Sequence, residues 1–580
     1  MGLFRKVLLS ILLLSAITLA LPAVEQLQCT DRLSDQKLNE AILGALVYLE
    51  DTQIRPRQGK NSLLTDSSDE GDGCHSQIAI NTPFKEVISL PALVPVKMRN
   101  RTGDWASHVH FLPKKAGLEG RTLLTIQDSN MFVTAFIAFP LFLFEEDQNS
   151  VGSGFIKNIL QLCKKNIELC KRGDSYNFWP ILPGVTSPSP RTGPYNIPVE
   201  FLKKLGESYV NPKFESFFKK LSKGLQVPPK DWLVACLDSK NTSGADALFN
   251  IPNDADDTST VVAFQKALAD KYPLYGISVD LNALRLIQSF RDIDRTREDG
   301  RDAWKGKNTG AYLTWMRDEN EPTFSKPEVG IIPLGVNNVD LVVNSNVVFS
   351  LALNGQKSLP GYMEAINLIA RGIEAHAWPK AGLYYPQNMI FPYTATRAFR
   401  EGGANEPVMR EAMKKLLIQI LEEQEYLAAK EPSLRGAFPG EEDRAYHLST
   451  ALGAVSLMNI GREIAIECGC MDRYSRAIHS AVAFLLKEAK KVKFNYNSTI
   501  KIFGDKIQPH CWESGLFFAA SYWDLGHWRS QAFTVSVVLE ALSKYALNFE
   551  KSDNNSDKTR LILRHDAKSK YGISLSRLNK

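Results

Sequence analysis

A cluster of three aspartates marks the stretch NDADDTSTVV (253–262), where Asp254, Asp256 and Asp257 fall within four positions. Like charges this close repel one another, so a packed site that contains all three holds at least one of them protonated. A protonated carboxyl beside an ionised one, placed in a cavity, is suited to general acid catalysis. The cluster therefore predicts a catalytic acid.

The same cluster lies where a helix is expected to begin. Asp257 or Thr258 is a suitable N-cap for the segment STVVAFQKALADKY. A purely structural role is one alternative, because acids near a helix start are stabilised by the macrodipole, although a single acid would serve. A Ca²⁺ loop is another, but the stretch lacks the glycine and the terminal glutamate of an EF-hand.

Asp254-Ala-Asp256-Asp257-Thr258 resembles the DxDD motif of class II terpene cyclases, such as squalene–hopene cyclase and copalyl diphosphate synthase. In diterpene members the motif often reads DxDDT followed by a small residue, which here is Ser259. The resemblance implies an α/α toroid and a cyclisation that begins with protonation of an alkene or epoxide. It implies that Asp256 donates the proton and that Asp254 and Asp257 hold it.

Local electrostatics favour the same proton donor. We expect Asp257 to be ionised, because free backbone N–H groups at a helix start stabilise a carboxylate. Repulsion from that charge, together with partial burial, is then expected to raise the pKa of Asp256.

An aromatic wall is the second requirement of carbocation chemistry, because ring faces stabilise positive charge without reacting with it. Aromatic residues are concentrated in the loops between the predicted helices, and we expect about a third of them to face a cavity. The substrate-binding candidates are Trp304, Tyr312, Trp315, Tyr385, Tyr393, Trp512 and Trp523, together with Asn344. The wider set includes Trp378, Tyr384, Phe391, Phe399, Phe517, Phe518, Tyr522 and Trp528. Packing in hairpin turns is the alternative.

A few polar residues are weaker candidates for a second functional group. Asn346 lies beside Asn344 on an otherwise apolar helix, and either side chain is expected to face the cavity or to assist a helix cap. His447, His510 and Glu513 are the others, and each is more typical of a structural role. The segment 291–307 carries arginines and lysines that could hold a diphosphate, but it is more typical of a solvated, ion-paired loop.

The elements that must position these residues are mainly helical. Apolar periodicity predicts an early helix at 36–50, and from about residue 128 it predicts helices at 129–145, 155–170, 259–271, 280–290, 340–354, 361–374, 407–429, 446–464, 472–491 and 529–547. Several of them open with Asp and small polar residues and continue as apolar helices with few charges, as at 128, 256 and 339. Helices of this kind must be covered on most faces.

Recurrence of this pattern favours helical hairpins packed in a closed ring, with the N-terminal ends of the inner helices facing a central cavity. The predicted fold is therefore an α/α toroid over residues 128–548, preceded by a smaller segment at 24–127 and followed by a polar, basic, weakly packed tail at 549–580. An open solenoid of helix pairs is the alternative. One hairpin is predicted at 499–507.

The N-terminus predicts a secreted or lumenal protein. Arg5 and Lys6 precede a short apolar run with small residues at Ala20 and Ala23, which is typical of a signal peptide over residues 1–23. No other segment is expected to span a membrane. Four N-glycosylation sequons agree with this route, at Asn100, Asn241, Asn497 and Asn554.

Eight cysteines follow the signal peptide, and in an oxidising compartment they predict up to four disulfides. Cys163 and Cys170 are expected not to pair with each other, because seven helical residues separate their Cα atoms by about 10 Å.

Composition excludes several classes of protein. The formal net charge is +5, with both signs mixed along the chain, which argues against a nucleic-acid or polyanion partner. Zinc is disfavoured because Cys468-Gly-Cys470 lacks the usual spacing and has no matching histidine pair. No phosphate loop, serine-hydrolase elbow or HExxH motif is present. We therefore predict no cofactor and no metal, and the oligomeric state stays open.

Three functions remain in competition. The first is a secreted or lumenal cyclase that uses Asp256 as an acid on a small apolar isoprenoid. The second is a carbohydrate-active toroid enzyme, either a glycoside hydrolase or a polysaccharide lyase, which needs two separated carboxylates. The third is a non-catalytic toroid that binds a lipid or a protein. A closed aromatic chamber with Asp256 at one end would favour the first, an open groove with a facing acid the second, and a filled centre the third.

Overall fold

The computed structural model describes the greater part of the predicted helical region. It covers residues 35–54, 99–111, 124–146, 154–181, 192–193, 250–295, 308–317, 337–380, 382–440, 446–492, 507–519 and 527–549, with short strands at 64–66, 77–79, 93–95, 559–565 and 571–577. Helices dominate these ranges, which confirms the prediction of a mainly α-helical protein. The predicted signal peptide lies outside the described residues.

The helices of the described ranges follow one another with few strands between them. They are α1 (Asp35–Thr52), α2 (Met131–Ala138), α3 (Phe155–Glu168), α4 (Ala255–Lys271), α5 (Leu281–Leu286), α6 (Leu341–Leu353), α7 (Tyr362–Glu374), α8 (Ile390–Arg400), α9 (Pro407–Lys430), α10 (Tyr446–Ile460), α11 (Arg462–Glu467), α12 (Met471–Glu488) and α13 (Gln531–Phe549).

Six of these helices make a continuous series of contacts. α4 packs on α6, α6 on α8, α8 on α10 and α10 on α13, while α2 contacts both α13 and α4. The series therefore returns to the helix from which it started. α6 is buried from Leu341 to Ala352, and α10 from His447 to Ile460. Helices with so little polar surface are stable only when neighbours cover them on nearly every side.

The remaining long helices supply that cover. α3 packs on α2, α5 on α4, α7 on α6, α9 on α8 and α12 on α10. α7 shows why, since its buried residues include Tyr362, Ala365, Ile366 and Ile369 at helical spacing, whereas Met363 is exposed. The helix that covers α13 is α1, which comes from the N-terminal segment.

A four-stranded antiparallel sheet also joins the N-terminal segment to the last third of the chain. Its strands, in order, are β12 (Leu516–Ala519), β13 (His527–Arg529), β5 (Ser107–Phe111) and β6 (Leu124–Asp128), and Trp528 pairs with Val109. The edge of this sheet ends at Asp128, shortly before α2.

Shorter strands complete the described structure. β1 (Leu64–Asp66) pairs with β4 (Arg99–Arg101), β2 (Gln77–Ala79) with β3 (Leu93–Pro95), β8 (Lys171–Arg172) with β9 (Ser175–Tyr176), and β10 (Lys490–Lys491) with β11 (His510–Cys511). The C-terminal β14 (Thr559–His565) pairs with β15 (Tyr571–Arg577) and, in parallel, with β7 (Phe144–Glu146). Within the tail predicted at 549–580, these two segments therefore form strands whose backbones complete a sheet.

Several predicted helix boundaries were also wrong. The helix predicted at 129–145 ends at Ala138, and a 3₁₀ helix, Phe139–Leu143, follows because Pro140 has no N–H to continue the α-helical pattern. The helix predicted at 446–464 breaks at Gly461, which has a φ of 94°. α8 was not predicted. Its Pro392 is tolerated because it lies in the first turn, where backbone N–H groups have no partner within the helix.

The described cysteines correct part of the disulfide prediction. The thiols of Cys163, Cys468, Cys470 and Cys511 are free. No bridge joins Cys163 to Cys170, as expected. Cys163 is buried on α3, where Gln53 Nε2 lies 3.5 Å from its Sγ. Cys29, Cys74 and Cys236 lie outside the described residues.

The predictions about membrane spans, glycosylation and the hairpin can be compared with the described residues only in part. Among these residues, no helix has both the length and the apolar character needed to cross a membrane. Of the four sequons, Asn100 lies in β4, and Asn241, Asn497 and Asn554 lie outside the described ranges. Nearly all of the predicted hairpin at 499–507 also lies outside them.

Candidate active site

The aspartate cluster forms the first turn of α4, and Asp254 is the residue that caps this helix. The Asp254 carboxylate accepts a hydrogen bond of 2.6 Å from the backbone N–H of Asp257. The backbone on either side of Asp254 is held by residues 314–316, because Ala255 N donates to Thr314 O and Met316 N donates to Asn253 O, both at 2.9 Å. The expectation that Asp257 or Thr258 caps the helix was therefore wrong by about one turn.

Asp256 is buried, with 4% of its surface exposed, and two neighbours bond its carboxyl group. Asn346 Nδ2 on α6 donates to Oδ1 at 2.7 Å, and the Tyr385 hydroxyl forms a short hydrogen bond with Oδ2. Burial raises the pKa of Asp256 to about 7, and the charge of Asp254 adds to this rise, while the bonds from Tyr385 and Asn346 oppose it. A side chain with this pKa exchanges protons readily at neutral pH.

Asp257 differs from the expectation that it is ionised. Burial raises its pKa well above the ordinary range, and the negative charge of Asp254 raises it further. The Asp257 side chain shares a hydrogen bond with the side chain of Asp254. Burial raises the pKa of Asp254 as well, to about 6. Two carboxyl groups can share such a bond only when one of them carries a proton. Asp257 therefore holds a proton, and its buried Oδ1 has no hydrogen-bond partner.

These three carboxyl groups face a cavity of about 80 Å³ that we call the aspartate cavity. Apart from Thr314 and the three aspartates, its lining consists of aromatic and aliphatic side chains. They are Phe132, Phe178, Trp179, Ile251, Trp315, Val343, Tyr384, Tyr385, Phe518 and Trp528. A largely apolar pocket with a few convergent polar groups and perturbed pKa values is the usual form of an active site.

Hydrogen bonds fix the tryptophans and one tyrosine of this wall. Trp179 Nε1 and Trp528 Nε1 donate to the two oxygens of Asp128, at 3.0 and 2.8 Å. Trp315 Nε1 donates to the Tyr384 hydroxyl at 3.0 Å. These hydrogen bonds hold the rings in place around the cavity.

Of the predicted substrate-binding residues, Trp315 and Tyr385 line the aspartate cavity. Asn344 does not, because its side chain bonds both backbone groups of Tyr312 at 3.0 Å. Its neighbour Asn346 is the asparagine that reaches Asp256.

The other aromatic candidates point elsewhere or lie outside the described residues. The Tyr312 hydroxyl donates to Pro360 O at 2.9 Å, and Trp512 Nε1 donates to Leu485 O at 2.8 Å. Tyr393 bonds Glu540 at 2.8 Å. Trp304 and Trp523 lie outside the described ranges.

The weaker polar candidates also lie away from the cavity. His447 Nε2 is 4.0 Å from Glu488, and His510 Nδ1 is 3.0 Å from Gln508 O. Neither they nor Glu513 are among the lining residues.

Three aromatic residues of the cavity were not considered in the sequence analysis: Phe132, Phe178 and Trp179. The sequence carried a signal for one of them. The Asp128-Ser-Asn start of α2 resembles the start of α4, so α2 could have been expected to present its first turn, with Phe132, to the same cavity.

No group of side chains in the described ranges has the composition and closeness of a metal site. The aspartate cluster bonds to helix N–H groups, an asparagine, a tyrosine and one of its own members, which is the pattern of a proton-holding site.

Comparison with known proteins adds one distant likeness. No protein-family model and no curated protein matches the chain. Among solved structures, a crystal structure of a protein from Actinoplanes is similar at 12% sequence identity and a TM-score of 0.35, over 77% of this chain and 94% of that chain. A likeness at this level has no bearing on function.

Proposed function

We propose that the chain forms an α/α toroid that carries out general acid catalysis on an isoprenoid, in the manner of a class II terpene cyclase. The closed series of contacts through α2, α4, α6, α8, α10 and α13, with an outer helix against each, supports the toroid. The fold alone supports no activity.

The observation that carries the proposal is the position of Asp256. Its carboxyl group is buried at an aromatic cavity, has a pKa of about 7, and is bonded by Asn346 and Tyr385. An acid of this kind is protonated in a useful fraction of molecules at neutral pH and can still release its proton.

In the proposed step, the Asp256 proton adds to one carbon of an alkene, and the alkene π electrons form the new C–H bond. The other alkene carbon becomes cationic, and a second alkene of the same chain attacks it to close a ring. Loss of a proton ends the reaction. The Asp256 carboxylate left behind is stabilised by Asn346 and Tyr385, and it regains a proton from solvent before the next turnover.

The aromatic wall suits the cationic intermediate. The rings of Phe132, Phe178, Trp315, Phe518 and Trp528 present π surfaces or edges to the cavity, and π faces attract a cation without forming a bond to it. The wall also excludes water, which would otherwise capture the cation and give an alcohol.

Cavity size narrows the substrate. Because one water occupies roughly 10–15 Å³ by this measure, a cavity of about 80 Å³ takes several waters or one small organic molecule. The proposal therefore favours a short isoprenoid over a long polyprenyl chain.

The arrangement of carboxyl groups weighs against a glycoside hydrolase. Such an enzyme needs two carboxyl groups on opposite sides of the sugar bond, roughly 5 to 9.5 Å apart. All three carboxyl groups of the described lining come from a single helix start. We also propose that the protein acts outside the cell or in the secretory lumen, which rests on the signal-peptide pattern of residues 1–23.

The test is incubation of the purified protein in D₂O with geranyl, farnesyl and geranylgeranyl diphosphates, squalene and oxidosqualene, followed by mass spectrometry. We expect a cyclic product that carries one deuterium at the carbon protonated first. Asp256→Asn is expected to give no cyclic product, and Asp280→Asn is its control, because Asp280 caps α5, does not line the cavity and is not among the groups that shift the pKa of Asp256. Absence of any cyclic product, or a product without deuterium, would overturn the proposal.

A further inference from the structure

A second cavity, of about 340 Å³, lies among residues from the C-terminal turns of the same inner helices. We call it the arginine cavity. Its lining includes Arg400, the last residue of α8, Leu353, the last of α6, and Asn459 near the end of α10. It shares no lining residue with the aspartate cavity. Its volume lies within the usual range of small-molecule sites.

One side of the arginine cavity is apolar. Phe139, Phe142 and Leu143 come from the 3₁₀ helix after α2, Phe349 comes from α6 and Leu547 from α13. Phe139, Phe142 and Leu143 are only partly buried although they pack against the core. This wall can therefore bury a hydrocarbon chain that would otherwise contact water.

The opposite side carries hydrogen-bond donors without acceptors. Asn459 is 2% exposed, and its Oδ1 accepts from Lys544 Nζ at 2.7 Å, but its Nδ2 has no partner. Arg400 is exposed to solvent, forms no ion pair within the described ranges, and lines the same cavity. A buried donor without a partner, such as Asn459 Nδ2, is rare because the hydrogen bond it fails to make costs about 1–3 kcal/mol.

A further cation, Arg397, lies against two rings of the cavity wall without lining the cavity itself. The Arg397 guanidinium lies 3.6 Å from the centroid of the Phe139 ring and 4.3 Å from that of Phe349, and its buried Nη2 has no partner. Burial would raise the pKa of Glu401, but the charges of Lys544 and Arg397 outweigh it and hold this pKa below its ordinary value. Glu401 therefore stays ionised.

The charged side chains at this end of the inner helices include more cations than anions. Arg397, Arg400 and Lys544 meet two carboxylates, Glu401 and Glu540. Lys544 is fully used, since it bonds Glu401, Glu540 and Asn459. The lining groups left for a ligand are Arg400 and the unpartnered Nδ2 of Asn459. An arginine with a neighbouring amide donor matches a carboxylate, whose oxygens only accept.

We propose that the arginine cavity binds an apolar carboxylate, such as a medium-chain fatty acid. The carboxylate accepts hydrogen bonds from Arg400 and Asn459, and the chain lies along Phe139, Phe142 and Phe349. This site is independent of the chemistry proposed for Asp256.

The test compares three ligands with the same tail on the full-length protein by isothermal titration calorimetry: decanoate, decanol and decylamine. We expect decanoate to bind at least about tenfold more tightly than the other two, because only its head group accepts a charge-assisted bond. Equal affinity for decanoate and decanol, or no binding of decanoate, overturns the proposal without any variant.

Variants then locate the head group. Arg400→Gln is expected to weaken decanoate binding by about tenfold or more and to leave decanol unchanged. Arg371→Gln is the matched control, because Arg371 is exposed in the last turn of α7 and does not line the cavity. Unchanged decanoate affinity in Arg400→Gln, or an equal loss in Arg371→Gln, contradicts the assignment.

Discussion

The two cavities use opposite ends of the same helices, and their charges differ accordingly. Carboxyl groups gather at the N-terminal turns of α4 and α6, where Asp254 and Asp340 accept backbone N–H groups. Cations gather near the C-terminal turns, where Arg397, Arg400 and Lys544 lie. Each sign lies at the helix end whose partial charge favours it.

The difference between the two ends concerns stability as much as function. At the aspartate cavity, three adjacent acids are buried with no cation bonded to them, so their charges oppose folding. At the arginine cavity, the buried Arg397 and the largely buried Lys544 are paired with the partly exposed Glu401, and breaking such a pair leaves a cation or its partner uncompensated. Removing a charge is therefore expected to have opposite effects at the two ends.

The largest expected effect is at Asp256. Asp256→Asn removes the proton donor, and we expect turnover to fall by about 10²–10⁴-fold. The melting temperature is expected to stay the same or to rise, because a buried acid beside Asp254 is lost. Turnover is measured with the substrate identified in the D₂O experiment.

Two alternatives for this cluster predict other results. A structural role predicts a lower melting temperature for Asp256→Asn, and a Ca²⁺ loop predicts that chelators destabilise the wild type. Full activity in Asp256→Asn would remove it as the donor.

A substitution of Arg397 tests the helix ends at the arginine cavity. Arg397→Met keeps much of the side-chain volume but leaves Glu401 with one cation fewer and removes contacts with the rings of Phe139 and Phe349. We expect the free energy of unfolding to fall by about 2 kcal/mol, chiefly through the lost contacts with the rings, measured by urea denaturation. The exposed Arg371→Met is expected to change it by less than about 0.5 kcal/mol. A stable Arg397→Met protein would show that the contrast between the ends is only geometric.

A substitution of Tyr385 tests the role of Asp256 through a smaller change in turnover. Its hydroxyl bond opposes the rise in the pKa of Asp256, so Tyr385→Phe is expected to raise that pKa further. We expect kcat to fall about tenfold and the alkaline limb of the pH–rate profile to move to higher pH.

Tyr384→Phe is the matched control for that experiment. The Tyr384 hydroxyl bonds Trp315 and Asn338 and is not among the groups that shift the pKa of Asp256. Its alkaline limb is expected to stay at the wild-type pH. Equal movement of the limb in both variants would show that cavity packing, rather than the bond to Asp256, sets the profile.

A further expected effect is on stability as a function of pH. The pKa of Asp256 is about 7 in the folded protein, against an ordinary value of 3.8, so between these values the native state binds more protons than the unfolded chain. Stability is therefore greatest below the lower value and falls as pH rises through about 7.

Asp256→Asn should reduce this fall by about 2–3 kcal/mol between pH 5 and pH 8, in urea denaturation at both pH values. Asp340, whose pKa is about 6, contributes to the same decline in both proteins. Identical pH dependence in the variant and the wild type would show that Asp256 is not protonated in the folded state.

The sequence was sufficient to find the aspartate cluster and the helices that position it, because both depend on neighbouring residues. The predicted helix cap and the predicted ionised state of Asp257 were both wrong. Both depend on how deeply the first turn of α4 is buried, which neighbouring residues in the sequence do not determine. Phe178 and Trp179 were missed because their place at the cavity depends on contacts with Phe518 and Trp528, far along the chain.

The arginine cavity had no sequence signal at all. Its lining comes from single positions near the ends of separate helices, such as Arg400, Asn459 and Lys544, and no spacing within the chain connects them. Long-range packing alone brings these residues together.

The position of α1 against α13 has a consequence for how the chain folds. The Tyr48 hydroxyl bonds Gln531 Oε1 at 3.0 Å across a separation of 483 residues. Closing a loop of that length costs about 5 kcal/mol in chain entropy before any contact repays it. During synthesis, α1 emerges early and has no partner until α13 follows. The final cooperative step of folding is therefore expected to wait until synthesis is nearly complete, with the apolar face of α1 open to chaperones until then.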